Sequence, residues 1–386
     1  HWRTHKMSQT KVEAPFVENS RPFRNLIING DMQIAQRATS QTGVANNSNE
    51  GYNTLDRFAL NFYGNEGGAA TVSQDTTVPS DTTYGKFSKS IKIDVTTADS
   101  SIGATGSHAL QQNIEASFLH HSGWDYTNSS SKITLSFWAR SVKAGDYHVN
   151  LQATDATRYF VAKYTLVANT WKHVEVVVPG NSDLVFNDDN GEGLQVRWML
   201  SAGDDRNDAT ADTWYNPGSD FDQTTNTQVN FFDSTDNNFF LTGVQLEVGD
   251  AATNFEHLPR DVQFTRCCRY YWKPVQGNAS TSEYVGLGDF YASNQVDTDF
   301  RHITPMRTQP TLDQGTGTDY YKYYYGQTAD GTVDGSWTYW IGNEHISSIY
   351  ATASDAVGTS NAGKACRIIA QTTGGTSAYL ALSAEL

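Results

Sequence analysis

The sequence predicts an all-β protein, with a jelly-roll β-sandwich, a short linking helix and a smaller C-terminal β domain. Short segments of alternating apolar and polar residues recur at intervals of roughly 10–20 residues, and Asn, Asp and Gly turns separate them. Aromatic residues make up 12% of the chain and charged residues only 18%, while Asn, Thr, Ser, Gly and Asp are abundant. This composition favours strands and turns over long helices. A length of 386 residues is sufficient for two domains with separate cores.

The chain divides into four predicted segments. Residues 1–24 are polar and lack periodicity, which predicts an N-terminal arm or linker. A sandwich is predicted for residues 25–258, beginning at a short apolar run followed by the turn signal Asn29-Gly30-Asp31. Residues 259–274 are the predicted helix, and residues 275–386 return to β composition.

The clearest alternation lies in the middle of the chain. Two neighbouring segments each place their apolar residues on one face of a strand: Ile133, Leu135, Phe137 and Ala139 in the first, and Tyr147, Val149, Leu151 and Ala153 in the second. The segment His108–Glu115 is also a predicted strand. A helical turn is the alternative there, because Phe118 extends the spacing of Leu110 and Ile114.

The predicted helix rests on an apolar stripe with the spacing i, i+3, i+4, i+7, formed by Phe264, Cys267, Cys268 and Tyr271. Pro259 before it and Pro274 after it are read as start and stop signals. The three cysteines, Cys267, Cys268 and Cys366, are too few for a disulfide framework. We expect buried free thiols and assembly in a reducing cytoplasm, with a Cys268–Cys366 bridge as the alternative.

Charge and hydropathy disfavour several classes of partner. The chain has 27 Lys and Arg against 42 Asp and Glu, a formal net charge of −15, which disfavours nucleic acid. No apolar run approaches the ~18 residues of a membrane span, so we expect no membrane insertion. The first residues also lack the apolar segment of a signal peptide. Because the chain begins with His1 and has its first methionine at Met7, residues 1–6 are expected to be an artefact or the remnant of a longer chain.

The sequence contains no recognised catalytic or phosphate-binding motif: GxSxG, HExxH and a phosphate loop are absent. Adjacent carboxylates such as Asp204 and Asp205 point apart on an extended chain and do not predict a glycosidase pair. We therefore expect no enzyme and no cofactor. The acidic segments 187–193 and 203–212 offer oxygen ligands for a structural Ca²⁺ ion, but solvated turns are the preferred interpretation because neither has EF-hand spacing.

A sugar-binding surface is the candidate functional site. It combines polar and aromatic residues from the outward faces of the central strands: Trp138, Arg140, His148, Asn150, Gln152 and Arg197. An ordinary solvated face or a subunit interface is the alternative. Trp214, in a polar loop, is a further candidate unless it folds back as a lid on the core. In the C-terminal domain, Trp337 and Trp340 indicate a receptor-binding tip or, alternatively, the aromatic core of a trimer.

Several segments, in this order, resemble bacteriophage tail-fibre and receptor-binding virion appendage proteins that carry a jelly-roll domain similar to carbohydrate-binding modules. The matching segments are NLIINGDMQIAQR (25–37), LDRF (55–58), ITLSFWARS (133–141), TWKHVEVVVP (170–179), LTGVQLEVGDAATNFEHLP (241–259), CCRYYW (267–272), PMRTQPT (305–311) and AEL (384–386). Arg260-Asp261 and Cys267 depart from the usual Glu-rich, single-cysteine form of the helix, which concerns packing rather than function.

The resemblance implies a non-enzymatic fibre or adhesin on the virion surface. It further implies a homotrimer that is assembled in the host cytoplasm, binds a host cell-surface glycan and contacts other virion proteins through its N-terminal arm. It implies no fixed ligand and no catalytic residues. The sequence leaves two alternatives open. One is a structural virion component, a capsid decoration or tail-connecting protein whose jelly roll mediates packing, and the other is a glycan-degrading tail enzyme.

Overall fold

A computed structural model describes residues 22–64, 66–218, 221–325, 328–333, 336–352 and 362–386. Most of the predicted N-terminal arm lies outside these residues. The first six-stranded antiparallel sheet has the strand order β1 (Ser40–Val44), β3 (Ala69–Asp75), β4 (Ser90–Thr97), β12 (Asn238–Val248), β6 (Lys132–Ser141) and β9 (Lys172–Pro179). The second has the order β11 (Trp214–Tyr215), β8 (Arg158–Leu166), β7 (Gly145–Ala153), β10 (Glu192–Ala202), β5 (Ser107–Glu115) and β2 (Ala59–Tyr63).

The two sheets pack face to face around one apolar core. Phe137 of β6 meets Trp198 of β10 edge-on, with ring centroids 5.8 Å apart. Tyr147 of β7 likewise lies 5.9 Å from Phe239 of β12. The apolar residues predicted to face inward on β6 and β7 are all buried. The predicted jelly-roll β-sandwich is therefore confirmed as two stacked antiparallel sheets with alternating inward and outward residues.

The turn at Asn29-Gly30-Asp31 closes one end of the sandwich. The Asn29 side chain accepts a hydrogen bond from the Ile34 amide (2.9 Å) and donates to the carbonyls of Ile34 and Asp56 (2.9 and 3.0 Å). A Cβ atom on Gly30 would lie 2.0 Å from the Val244 carbonyl oxygen. The turn therefore requires glycine at this position because the backbone of β12 passes directly against it.

Helix is scarce in the described residues. The α-helices are α1 (Ala116–His120) and α2 (Arg260–Cys268), and the short 3₁₀ segments are Asp204–Arg206, Phe231–Asp233 and Thr372–Ser377. Residues 107–115 form the predicted strand, and the helical alternative applies only to the residues that follow it. None of the helices in these ranges has the length and hydrophobicity needed to cross a bilayer.

The predicted helix at 259–274 is shorter than expected. It begins after Pro259, as predicted, but ends at Cys268, and Tyr271 and Pro274 belong to strand β13 (Tyr271–Gln276). The stripe therefore consists of Cys267 and Cys268, which are buried, and the half-buried Phe264. The stop comes early because Tyr271 pairs with Ser383 in a sheet, so tertiary strand pairing overrides the helical spacing. All three cysteines are free and buried, as predicted.

The C-terminal residues form two antiparallel sheets. The smaller sheet has the order β13, β22 (Tyr379–Ser383) and β16 (Thr311–Gln314). The larger sheet has seven strands, in the order β18 (Thr328–Val333), β17 (Tyr321–Tyr325), β21 (Ala365–Ala370), β14 (Glu283–Ala292), β15 (Gln295–Arg301), β20 (Ile346–Thr352) and β19 (Thr338–Gly342). The segment limits proposed from the sequence, at residues 24, 258 and 274, stay predictions as domain boundaries.

The chain end is held against the sandwich by buried charges. Glu385 accepts hydrogen bonds from Arg57 and from Arg37, the latter at 3.2 Å. Arg57 is also bonded to the Asn113 carbonyl (2.6 Å), and its guanidinium carbon lies 3.5 Å from the centroid of the Tyr270 ring. The LDRF and AEL segments, which lie more than 300 residues apart, are thus one structural unit that joins the two halves of the chain.

His108 predicts a pH dependence of stability. It is fully buried against Phe62 and Phe232, and burial lowers its pKa from the usual 6.5 to about 4. Because the unfolded chain takes up the proton at a higher pH than the folded chain, stability falls as pH decreases from about 6.5 to 4. The free energy of unfolding decreases by about 3 kcal/mol over this pH range. Equilibrium unfolding from pH 4.5 to 7 should show a shallower slope for His108→Gln than for wild type. Equal slopes for wild type and His108→Gln would contradict this assignment.

Candidate functional site

The residues predicted to share one binding face lie on two opposite faces of the sandwich. Strand β6 belongs to the first sheet, whereas β7 and β10 belong to the second. Since Phe137 and Trp198 meet in the core, their neighbours Trp138 and Arg197 point away from each other. The prediction of a single surface that includes Trp138, Arg140, His148, Asn150, Gln152 and Arg197 is therefore wrong, because period-two alternation does not reveal which sheet each strand joins.

Trp138 and Arg140, on the first sheet, both contact other residues of the protein. Trp138 is only 5% exposed and packs with Phe87 and Phe255, so the expectation of an exposed aromatic platform there is wrong. Arg140 donates hydrogen bonds to the backbone carbonyl and side-chain oxygen of Asn169 (3.1 and 2.8 Å). Loop residues over the outer side of this sheet thus supply the partners of both side chains.

His148 and Trp214 also have partners within the protein. The two ring nitrogens of His148 lie 2.8 Å from the side-chain oxygens of Gln228 and Thr225. The Trp214 indole N–H donates to the Pro179 carbonyl (2.7 Å), and its ring packs on Phe160 of the core. His148 therefore anchors a loop, and Trp214 is a lid on the core, the alternative considered from the sequence.

The two C-terminal tryptophans differ in exposure. Trp337 is buried against Tyr321, with ring centroids 5.6 Å apart. Trp340 is 53% exposed and lies 5.5 Å, ring to ring, from the exposed Tyr291. Only Trp340 of this pair therefore offers an aromatic surface to a partner.

Three of the predicted residues come together on the outer side of the second sheet. Strand register places Asn150 beside Arg197, and Arg197 beside Gln111 of β5. In the next row, Gln152 pairs with Gln195, and Gln195 with Asn113. Tyr159 of β8 pairs with Gln152, and the hydroxyl of Tyr63 on β2 reaches Gln111. We call this set the polar face: Tyr63, Gln111, Asn113, Asn150, Gln152, Tyr159, Gln195 and Arg197.

Part of the polar face is joined by internal hydrogen bonds. The Tyr63 hydroxyl donates to Gln111 (2.6 Å), and the Gln111 amide donates to Asn113 (3.2 Å). Arg197 donates to Gln195, and its guanidinium carbon lies 5.2 Å from the centroid of the Tyr63 ring. These contacts fix the orientation of the side chains before any ligand arrives.

Other atoms of the polar face are buried without a partner. They are Oδ1 and Nδ2 of Asn150, Oε1 of Gln152 and Nε of Arg197, none of which has a hydrogen-bond partner among the described residues. The Asn150 residue is 0% exposed and Arg197 is 6% exposed. A buried polar group without a hydrogen bond lowers the stability of the folded protein by about 1–3 kcal/mol. Four such atoms lie within two adjacent rows, so this part of the sheet destabilises the folded protein.

Tyr215 of β11 and Phe221, which follows that strand, cover part of this surface. Tyr215 and Phe221 lie 6.2 and 6.5 Å, ring to ring, from Tyr159. Burial raises the pKa of Tyr159, and Arg197 partly offsets the effect. Tyr63, Gln152 and Gln195 remain half-buried, so the rim of the polar face is reachable while Asn150 is enclosed.

The chemistry offered here is that of polar recognition by hydrogen bonds. Amide groups donate and accept hydrogen bonds, the guanidinium donates, and the tyrosine rings supply flat apolar area. The nearby Glu192 carboxylate accepts hydrogen bonds from Thr154 (2.9 Å) and Gln195 (2.7 Å). This combination suits a ligand that carries many hydroxyl groups.

The sequence patterns did not point to Tyr63, Gln111, Asn113 or Tyr159. A usable signal was present in β5, where Gln111 and Asn113 alternate with the core residues Leu110 and Ile114. Because they follow the same period as the central strands, they could have been assigned to an outward face. Their position beside Arg197 depends on strand order, which the sequence does not show.

The acidic loops make contacts with protein groups. Asn187 donates to Asp155 through its side chain (2.7 Å), and Asp188 lies 2.8 Å from His121. Within the described ranges, no group of three or more His, Cys, Asp or Glu side chains has an arrangement that would hold a metal ion.

No protein-family model matches this sequence, and no curated protein matches it significantly. Among solved structures, the chain is similar to the enzymatically active domain of bacteriophage CBA120 tailspike protein 4, at 11% identity and a TM-score of 0.31, over 59% of this chain and 22% of that one. It is also similar to a CBM4 module, at 15% identity and a TM-score of 0.29, over 57% of this chain and 98% of that one. A third similar structure is a putative sugar binding protein from Bacteroides thetaiotaomicron, at 14% identity and a TM-score of 0.28, over 58% of this chain and 100% of that one. What this chain binds is therefore inferred from its own residues.

Proposed function

We propose that this chain is a non-enzymatic glycan-binding protein whose polar face holds the sugar. The observation that carries the proposal is the group of buried, unpartnered polar atoms on Asn150, Gln152 and Arg197. A site built to hydrogen-bond a ligand carries such groups because the ligand supplies their partners. Asn150 is enclosed in the free protein, so in this proposal the sugar enters over the half-buried rim and reaches Asn150 after the side chains above it move aside. The destabilisation in the free protein is then a consequence of its binding role.

A sugar fits this surface better than other classes of ligand. Its hydroxyls match amide and guanidinium groups, and its apolar ring faces match tyrosine rings. A nucleic acid would require a basic surface, whereas this chain has a net charge of −15.

We place this activity in a bacteriophage fibre or adhesin. The order of segments from NLIINGDMQIAQR to AEL supports this part of the proposal. The contact between Arg57 and Glu385 explains why the LDRF and AEL segments occur together. In this proposal the protein is a homotrimer, assembled in the host cytoplasm and displayed on the virion surface. Residues 1–24 attach it to other virion proteins, and the ligand is a host cell-surface glycan.

The test is glycan-array and host-cell binding by wild type, Arg197→Met and Arg140→Met. Arg197→Met should weaken binding at least tenfold, because it removes a charged hydrogen-bond donor from the site. Arg140→Met is the matched control, since Arg140 lies on the opposite face and binds Asn169. Equal losses in both variants, or none in Arg197→Met, would contradict the assignment of the polar face.

A structural virion component is the second candidate. It is favoured by exposed apolar side chains on the described part of the C-terminal domain, namely Tyr284, Leu287, Tyr291, Trp340 and Ile341. Such side chains are typical of surfaces that pack against other subunits. A folded wild-type protein that binds neither host cells nor any arrayed glycan would favour this candidate.

A further inference from the structure

A cavity lies at the junction of the sandwich and the smaller C-terminal sheet, away from the polar face. Its volume is about 760 Å³, within the ~300–1,000 Å³ typical of small-molecule sites. The residues before and at the start of β1 form one wall, and residues of β13, β22 and the segment after β16 form the other. Two cations line it, Arg37 and Lys273.

Arg37 is held in place by the protein and keeps a free donor. Its guanidinium carbon lies 3.6 Å from the centroid of the Tyr271 ring, and its Nη2 donates to Glu385 at 3.2 Å. Its Nη1 is buried and has no hydrogen-bond partner among the residues that the structure describes. A guanidinium with one occupied and one unoccupied terminal nitrogen is prepared for a further oxygen acceptor.

Lys273 is half-buried without a counter-ion. Its ammonium lies 4.4 Å from the centroid of the Tyr379 ring and 3.4 Å from the Arg37 carbonyl oxygen. Within the described ranges no carboxylate lies within 4.0 Å of it. Burial lowers the pKa of Lys273, and the neighbouring Arg37 adds to this effect while Asp313 opposes it. Lys273 and Arg37 are thus neighbouring cations, of which Arg37 is paired with Glu385 and Lys273 has no carboxylate in direct contact among the described residues.

Asp313, the nearby carboxylate, is engaged elsewhere. It accepts hydrogen bonds from the hydroxyls of Tyr271 and Tyr379, both at 2.9 Å. These are the two rings on which Arg37 and Lys273 lie. Asp313 therefore fixes both aromatic supports and leaves the two cations available.

We propose that this junction cavity binds an oxyanion, the carboxylate or phosphate group of a small ligand, through Lys273 and the free Nη1 of Arg37. Thr316, Tyr320 and Ser377, which carry hydroxyl groups, also line the cavity. The site is separate from the polar face and requires a different ligand chemistry. The shared recognition feature is the oxyanion, whether it belongs to an acidic sugar or to a phosphate.

Isothermal titration calorimetry of the full chain tests the proposal with three probes: D-glucuronate, inorganic phosphate and neutral D-glucose. The variants are Lys273→Gln and Thr316→Glu, which remove a cation or add a carboxylate at an exposed position of the cavity wall. Lys86→Gln, at an exposed lysine outside the cavity, is the matched control. Thermal unfolding of each variant verifies the fold.

We expect at least one anion to bind, glucose to give no signal, and both cavity variants to weaken anion binding about tenfold or more. Lys86→Gln should bind like wild type. Binding of glucuronate but not phosphate would identify an acidic sugar, and the reverse would identify a phosphate group. The proposal is overturned if neither anion binds, or if anion binding survives both Lys273→Gln and Thr316→Glu.

Discussion

Replacing Asn150 with leucine is expected to raise the free energy of unfolding by about 1–2 kcal/mol and, in the same protein, to abolish glycan binding. Both side-chain atoms of Asn150 are buried without a hydrogen-bond partner among the described residues. Its cross-strand neighbour on one side is Val161, so an apolar side chain of similar size fits there. The leucine removes an unpaired amide from the folded state, and with it the groups that we assign to the sugar.

Asn113→Leu is the matched control on the same face. The Asn113 amide donates to the Leu386 carbonyl (3.3 Å), and its oxygen accepts from Gln111 (3.2 Å), so its loss leaves buried partners unpaired. We expect this variant to lose about 1–3 kcal/mol. Chemical denaturation measures both stabilities, and the glycan array measures binding. If Asn150→Leu destabilised the protein as Asn113→Leu does, Asn150 would have a structural role and the binding assignment would fail.

Arg57→Ala is expected to lower the free energy of unfolding by about 3–5 kcal/mol, the largest loss that we predict. The Arg57 side chain is 1% exposed and is the partner of Glu385. Its removal leaves Glu385 with Arg37 alone and the Asn113 carbonyl without its donor. It also removes the guanidinium that stacks on Tyr270.

Arg158→Ala provides the comparison for a surface ion pair. Arg158 pairs with Asp183 at 3.0 Å, and the Asp183 side chain is 57% exposed. Solvent screening limits such a pair to about 0–1 kcal/mol. Denaturant midpoints and slopes would be compared for the two variants. Similar small losses would mean that the Arg57–Glu385 contact does not hold the two halves of the chain together.

The sequence predicted core residues correctly in strands with one buried face, where every second side chain is apolar. Ile133, Leu135 and Phe137 could be assigned to the core because a half-buried strand repeats every two residues. The start of the helix at Pro259 could also be predicted, since proline is tolerated there. Its end at Cys268 could not, because Tyr271 gains more from pairing with Ser383 than from continuing the helix.

The candidate site was only partly predictable for a related reason. Asn150, Gln152 and Arg197 were identified as outward residues and do share a face. Trp138 has the same phase on its own strand but lies on the other side of the sandwich, beneath Phe87 and Phe255. All these residues alternate with apolar neighbours in the same way. This alternation contains no information about strand order or about the loops that cover a strand.

The sequence by itself determined the β class, the inward side of each central strand and the net negative charge of −15, because composition and period-two alternation are local properties. The tertiary structure decided which outward residues meet. Strand order placed Gln111 beside Arg197, and chain closure placed Glu385 against Arg57 and Arg37 beside Lys273. These contacts join residues far apart in the chain, and their positions follow from how the two sheets and the C-terminal tail pack together.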